Sequence, residues 1–269
     1  MIIFVLTIIC PYSKAEIRNG FVPELKRCQS ALNFLDAELS DPQINEKRKK
    51  DFLRLKRQFT LQQGSALKLF QRTEEIIHDL WDISPGIMSQ VDNLRDANGV
   101  ITHVYVVVDF HLGSRDGIRG VTNLGFSKND DNTYASRFGD HSVEVRVNGG
   151  PNAIVLLAHE LGHVIYQVPN LKSYVKFYRG HYNNKPGAKG HHADDPSHHS
   201  VLQVMNRFYR DYSVRLSEGG VIAKVSQGIS ARFRQFLSKG GQTDLKTISD
   251  EGSIQTDKTM EREVSGGIH

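Results

Sequence analysis

Three residues in this chain, His159, Glu160 and His163, have the types and the spacing for metal-assisted chemistry. They lie in the run His159-Glu160-Leu161-Gly162-His163, an H-E-x-x-H pattern. The surrounding segment, 151–167, reads as a helix. Gly149-Gly150 breaks the preceding strand, and Pro151 suits a first helical position. Ile154, Leu157, Leu161, Val164 and Ile165 then recur at helical spacing as an apolar face. Residues four apart share one side of a helix, so His159 and His163 can aim two imidazoles at one point. Glu160 stands about 100° around the axis from His159, placed to reach a water on the metal rather than the metal itself. Gly162 and Ala158 are small enough to let a neighbouring backbone come close.

Over 151–167 the sequence resembles the zincin metallopeptidases. That resemblance implies an α+β fold with a small twisted sheet packed on the H-E-x-x-H helix, and Zn²⁺ as the metal. It also implies peptide-bond hydrolysis in which Glu160 takes a proton from water and later passes one to the leaving amine. An edge of the sheet would bind extended protein or peptide substrate by strand addition.

A catalytic zinc needs a third protein ligand and an open position for water. Here the chain departs from the common patterns. Metzincins continue with Gly and His three and six residues after the second His, where this chain has Tyr166 and Pro169. Gluzincins draw a Glu from a following helix, and none occurs between His163 and Ser217. Peptide deformylases need an upstream cysteine ligand, and Cys28 sits in a helical pattern far from the strands. Downstream lies the run Gly190-His191-His192-Ala193-Asp194-Asp195-Pro196-Ser197-His198-His199. Imidazole and carboxylate both bind zinc, so His191 is the favoured third ligand, with His192, Asp194 and Asp195 after it. A carboxylate not used on the metal would suit orienting a ligating imidazole. Asp195-Pro196-Ser197 reads as the turn that starts a helix near His198, and His198 and His199 are expected to matter less for metal. Tyr174, Tyr178, His181 and Tyr182 could donate to an oxyanion, although each more commonly packs.

The elements that must position these groups are partly legible. Leu25, Cys28, Leu32, Leu35 and Leu39 mark an amphipathic helix. Phe52, Leu55 and Phe59 mark a second, and Leu67, Phe70, Ile77 and Leu80 a third, together a hairpin or small bundle. Trp81 is expected as a core anchor. The second helix carries Lys47, Arg48, Lys49, Lys50, Arg54, Lys56 and Arg57, an exposed face that could meet an anionic surface. Past the breakers at 84–86 and 96–99, β-branched residues predict a strand over 101–110 and a weaker one over 119–126. Residues 129–132 read as a polar turn. Val143, Val145 and Val147 alternate with Ser142, Glu144 and Arg146, a half-buried strand. Val201, Met205, Phe208 and Tyr212 mark a later helix, and Ile222, Val225, Ile229, Phe233 and Leu237 another. This divides the chain into a helical region over 16–99, a zincin-like domain over 100–238 and a disordered tail over 239–269.

With 34 basic against 30 acidic residues, the chain is too nearly balanced to mark a nucleic-acid binder. Residues 2–10 form a short apolar run, and Ser13-Lys14-Ala15 suits signal-peptidase cleavage before Glu16, without a basic n-region. The expectation is a secreted or periplasmic protein that keeps one cysteine, Cys28, and so forms no intrachain disulfide. Two other readings use the same residues. A His-rich zinc-storage protein would have no need of Glu160. A secreted effector protease would apply the same chemistry to a host protein. The exported chain is expected to begin at Glu16; N-terminal sequencing of secreted material checks this, and an intact Met1 would contradict it.

Overall fold

Alternating valines build the sheet on which the H-E-x-x-H helix rests. This computed structural model describes residues 15–112, 120–123, 135–136, 138–182, 195–218 and 226–242. The fold is α+β. Strands β1 (Ile17–Asn19), β2 (His103–Val108), β3 (Gly120–Asn123) and β6 (Ser142–Val147) form one sheet, in the order β1-β2-β6-β3. The pairings β1–β2 and β2–β6 are parallel, and β3 closes the row antiparallel to β6. The short strands β4 (Ala135–Ser136) and β5 (Gly139–Asp140) pair with each other.

Register decides which side chains face the helices. Val104, Val106 and Val108 pair with Val143, Val145 and Val147, and all six are buried on one face. Thr122 pairs with Val145 and Gly120 with Val147, so both belong to that same face. The opposite face is covered more fully than alternation implies. Ser142 and Glu144 are buried, Glu144 is ion-paired to Arg146, and Tyr105 stacks on Phe138 at 4.2 Å.

Helices α1 (Val22–Leu39) and α2 (Glu46–Ile83) form the hairpin expected from the leucine spacing. Cys28, Leu32 and Leu35 are the buried side of α1. The second and third expected helices are one. α2 runs unbroken for 38 residues through Gly64, where no other group lies within 4 Å of the missing side chain. Its start is capped by the Asn45 side chain, which accepts from the Arg48 N–H at 2.9 Å. Trp81 is not a core anchor, being 39% exposed, because it lies on the outer side of α2 while Ile76, Leu80 and Ile83 face inward. The N-terminal helical region is not a separate unit: it joins the central sheet through β1 and shares one core with the later helices.

Helix α3 (Pro85–Asp92) comes directly after α2. The H-E-x-x-H helix is α4 (Ala153–Gln167), which starts two residues after Pro151. After it come α5 (Leu171–Tyr182), α6 (His198–Ser217) and α7 (Ser226–Ser238). Val201, Met205, Phe208 and Tyr212 of α6 are all buried, as their spacing requires. On α7, Ile229 and Phe236 are buried while Leu237 is 52% exposed. No helix among the described residues is long and apolar enough to cross a membrane.

The apolar face expected on α4 is in fact the whole helix: every residue from Ala153 to Val164 is buried. β6 and β3 cover one side, α2 and α3 another, and α6 a third. α6 comes closest at Gly162, where an added Cβ would lie 2.6 Å from Val201 Cα. Gly162→Ala would gain about 1 kcal/mol of helix propensity but cost about 1–3 kcal/mol by forcing α4 and α6 apart. Gly64→Ala keeps the gain without the clash. Thermal melts should therefore show Gly64→Ala above the parent and Gly162→Ala below it; the reverse order would refute this packing.

Candidate active site

α4 carries His159 and His163 one turn apart, and their Nε2 atoms are 3.2 Å from each other. Both imidazoles are buried. Two nitrogens at 2.0–2.1 Å from a tetrahedral zinc are about 3.3 Å apart, so the observed separation suits two ligands of one ion.

The orientation of His163 is set from α6. Its Nδ1 lies 2.6 Å from Ser197 Oγ. Ser197 Oγ in turn donates to Asp195 Oδ1 at 2.5 Å. A carboxylate can only accept, and a serine hydroxyl has one proton. Ser197 therefore gives its proton to Asp195 and accepts from His163 Nδ1–H. That assignment leaves the lone pair of a neutral His163 on Nε2, facing His159. Asp195 is itself held. Its Oδ1 also accepts the Ser197 N–H at 2.8 Å, and its Oδ2 accepts the Tyr174 hydroxyl at 3.0 Å. All four residues of this chain of bonds are buried.

Glu160 points the other way, toward β3. Thr122 Oγ1 donates to its Oε2 at 2.6 Å. Oε1 faces Gly120, where an added Cβ would come within 2.5 Å of it. Burial pushes the Glu160 carboxyl above its ordinary range, while the nearby His159 and the Thr122 bond pull it back. Thr122 thus fixes one carboxylate oxygen, and the missing side chain of Gly120 makes the room that the other occupies.

The structure brings His159, Glu160 and His163 together as the spacing demands. His191, His192 and Asp194 lie outside the described residues. Asp195 is described, and its carboxylate is engaged by Ser197 and Tyr174, the orienting role rather than the ligand role. Tyr174 likewise points its hydroxyl at Asp195, and the side chains of Tyr178, His181 and Tyr182 lie outside the described residues. Helix α6 does begin at His198, but Ser197 does not use its side chain to cap it. His198 is buried, with its ring centroid 5.7 Å from that of His163, whereas His199 is exposed beside Gln203. Among the described residues, no three His, Cys, Asp or Glu side chains converge on one metal position. Thr122 has no signal in the sequence, and Ser197 shows there only as part of a turn. A small hydroxyl residue stands out only once the fold sets it beside an ionisable group.

Comparison with known proteins finds no matching family model, no matching curated protein and no matching solved structure.

Removing the hydroxyl of Ser197 strands two buried partners. If His163 ligates zinc, Ser197→Ala should lower zinc affinity by about 10–100-fold, the usual effect of losing a group that orients a ligand. It should also lower stability by about 1–3 kcal/mol. Competition titration against a chelator checks the first and chemical denaturation the second. Zinc affinity within twofold of the parent would refute the orienting role.

Proposed function

We propose that this protein is an exported zinc-dependent metallopeptidase. The observation that carries the reading is Glu160: a buried carboxylate, bonded by Thr122 at one oxygen and packed on Gly120 at the other, next in the chain to His159, whose Nε2 is 3.2 Å from that of His163. A storage protein needs imidazoles but gains nothing from a desolvated carboxylate next to them.

In this reading His159 and His163 would hold Zn²⁺, with His191 as the third ligand drawn from the sequence. His198 is the described imidazole that competes for that place. When bound, zinc supplies a Lewis acid and a water whose pKa is lowered from about 15.7 to about 7. The chain's own residues do the rest. Thr122 holds Glu160 Oε2, so Oε1 is the atom free to accept the proton of the attacking water. Burial raises the proton affinity of this carboxyl, which suits a group that takes a proton and then passes it to the leaving amine. Asp195 and Ser197 keep the His163 lone pair turned inward. Thr122 and Gly120 lie on β3, the edge strand of the described sheet. An extended peptide adding to β3 would run beside Glu160, which supports protein or peptide as the substrate class. Export, to the cell envelope or beyond, rests on the segment ahead of Glu16; of those residues only Ala15 is described.

Glu160→Gln keeps nearly the same volume and can still hold a water but cannot take its proton. It should retain zinc and fold while peptide cleavage falls by about 10²–10⁴-fold. The assay is a broad peptide library read by mass spectrometry, with zinc measured in the same samples. Unchanged cleavage by the mutant would refute the mechanism, and absence of cleavage by either protein would favour storage.

A further inference from the structure

The outer side of α2 carries a cationic stripe that the fold itself does not use. Lys47, Lys50, Arg54, Arg57 and Lys68 are exposed. With Leu61 and Gly64 they follow spacings of three and four along the helix, which places them on one side. At 1.5 Å per residue, the stripe is about 32 Å long. The bonds of α2 to α1 come from elsewhere on its circumference: Arg48 to Glu38, Lys56 to Asp36, Gln62 to Glu24 and Gln63 to Gln29. The residues of α2 that enter the core, Ala66, Thr73, Ile76, Leu80 and Ile83, belong to its C-terminal half, and all but Ala66 lie beyond the last cation of the stripe.

None of the five cations has a carboxylate partner among the described residues. One carboxylate, Asp51, lies within a turn of Lys47 and Arg54 without an ion pair to either; Glu46 and Glu75 lie beyond the ends of the stripe, and each has a partner of its own, Lys49 at 3.8 Å and Arg72 at 3.0 Å. Two leucines sit with the cations, Leu53 and Leu61, 52% and 67% exposed.

We propose that this face of α2 docks on an anionic lipid bilayer. The charge is complementary to acidic headgroups, and an array running along one side of a continuous helix suits an extended surface. The exposed leucines decide against nucleic acid. Hydrocarbon side chains between cations gain by entering the headgroup boundary, whereas a phosphate backbone offers them nothing. The stripe also has no aromatic ring on which a base could stack.

The test is co-sedimentation of the full chain with vesicles of phosphatidylcholine alone or with about a third phosphatidylserine. Binding is expected only to the anionic vesicles, and it should be lost in about 1 M salt. Each basic residue contributes about fivefold, so the K47Q/K50Q/R54Q/R57Q variant should bind about a hundredfold more weakly or worse. Its helix content and melting temperature should match the parent, since glutamine is a good helix former; the K50Q/R54Q variant carries the test if they do not. Replacing Leu53 and Leu61 by Gln should cost about another tenfold. Equal binding to neutral vesicles, undiminished binding by the charge variants, no effect of the leucine replacements, or tighter binding to duplex DNA at matched phosphate would each overturn the proposal.

Discussion

A helix with no solvent face is the constraint on which the rest of this structure depends. α4 is enclosed by the sheet, by α2 and α3, and by α6, yet it carries His159, Glu160 and His163. Buried polar groups are costly unless bonded, by roughly 1–3 kcal/mol each and more when charged. The surrounding elements meet that demand from two sides. β3 brings Thr122 to Glu160, and the start of α6 brings Ser197 and Asp195 to His163. Both deliveries need close approach, which Gly120 permits at the strand and Gly162 at the helix.

These two sides do different chemical work. The β3 side bonds one carboxylate oxygen through Thr122 and seats the other against Gly120. The α6 side determines which nitrogen of His163 holds the proton and, through Tyr174, ties that choice to α5.

The central motif was legible because its signal is local. A four-residue interval on an apolar helix fixes the relative placement of two imidazoles and a carboxylate without help from the rest of the chain. The valine alternation of β6 and the spacing on α6 were legible for the same reason. The features that stayed hidden depend on contacts distant in sequence. Thr122 and Ser197 lie 38 and 34 residues from their partners Glu160 and His163. β1 is only three residues long and exists because β2 pairs with it. Full burial of α4 could not be read from its periodicity, because an apolar run looks alike whether one side or every side is covered. The sequence reads two helices across 52–80, but the lone Gly64 between them costs a helix only about 1 kcal/mol, which 38 residues packed against α1 and the core override.

The claim that joins these observations is that the two inward-facing imidazoles are ligands of one zinc ion. Anomalous diffraction at the zinc edge from crystals of the zinc-loaded protein tests it directly. The account predicts a single strong peak about 2.0–2.1 Å from both His159 Nε2 and His163 Nε2, with a third protein atom completing the ligand set. A peak elsewhere in the molecule, or none between these two nitrogens at full zinc loading, would contradict it.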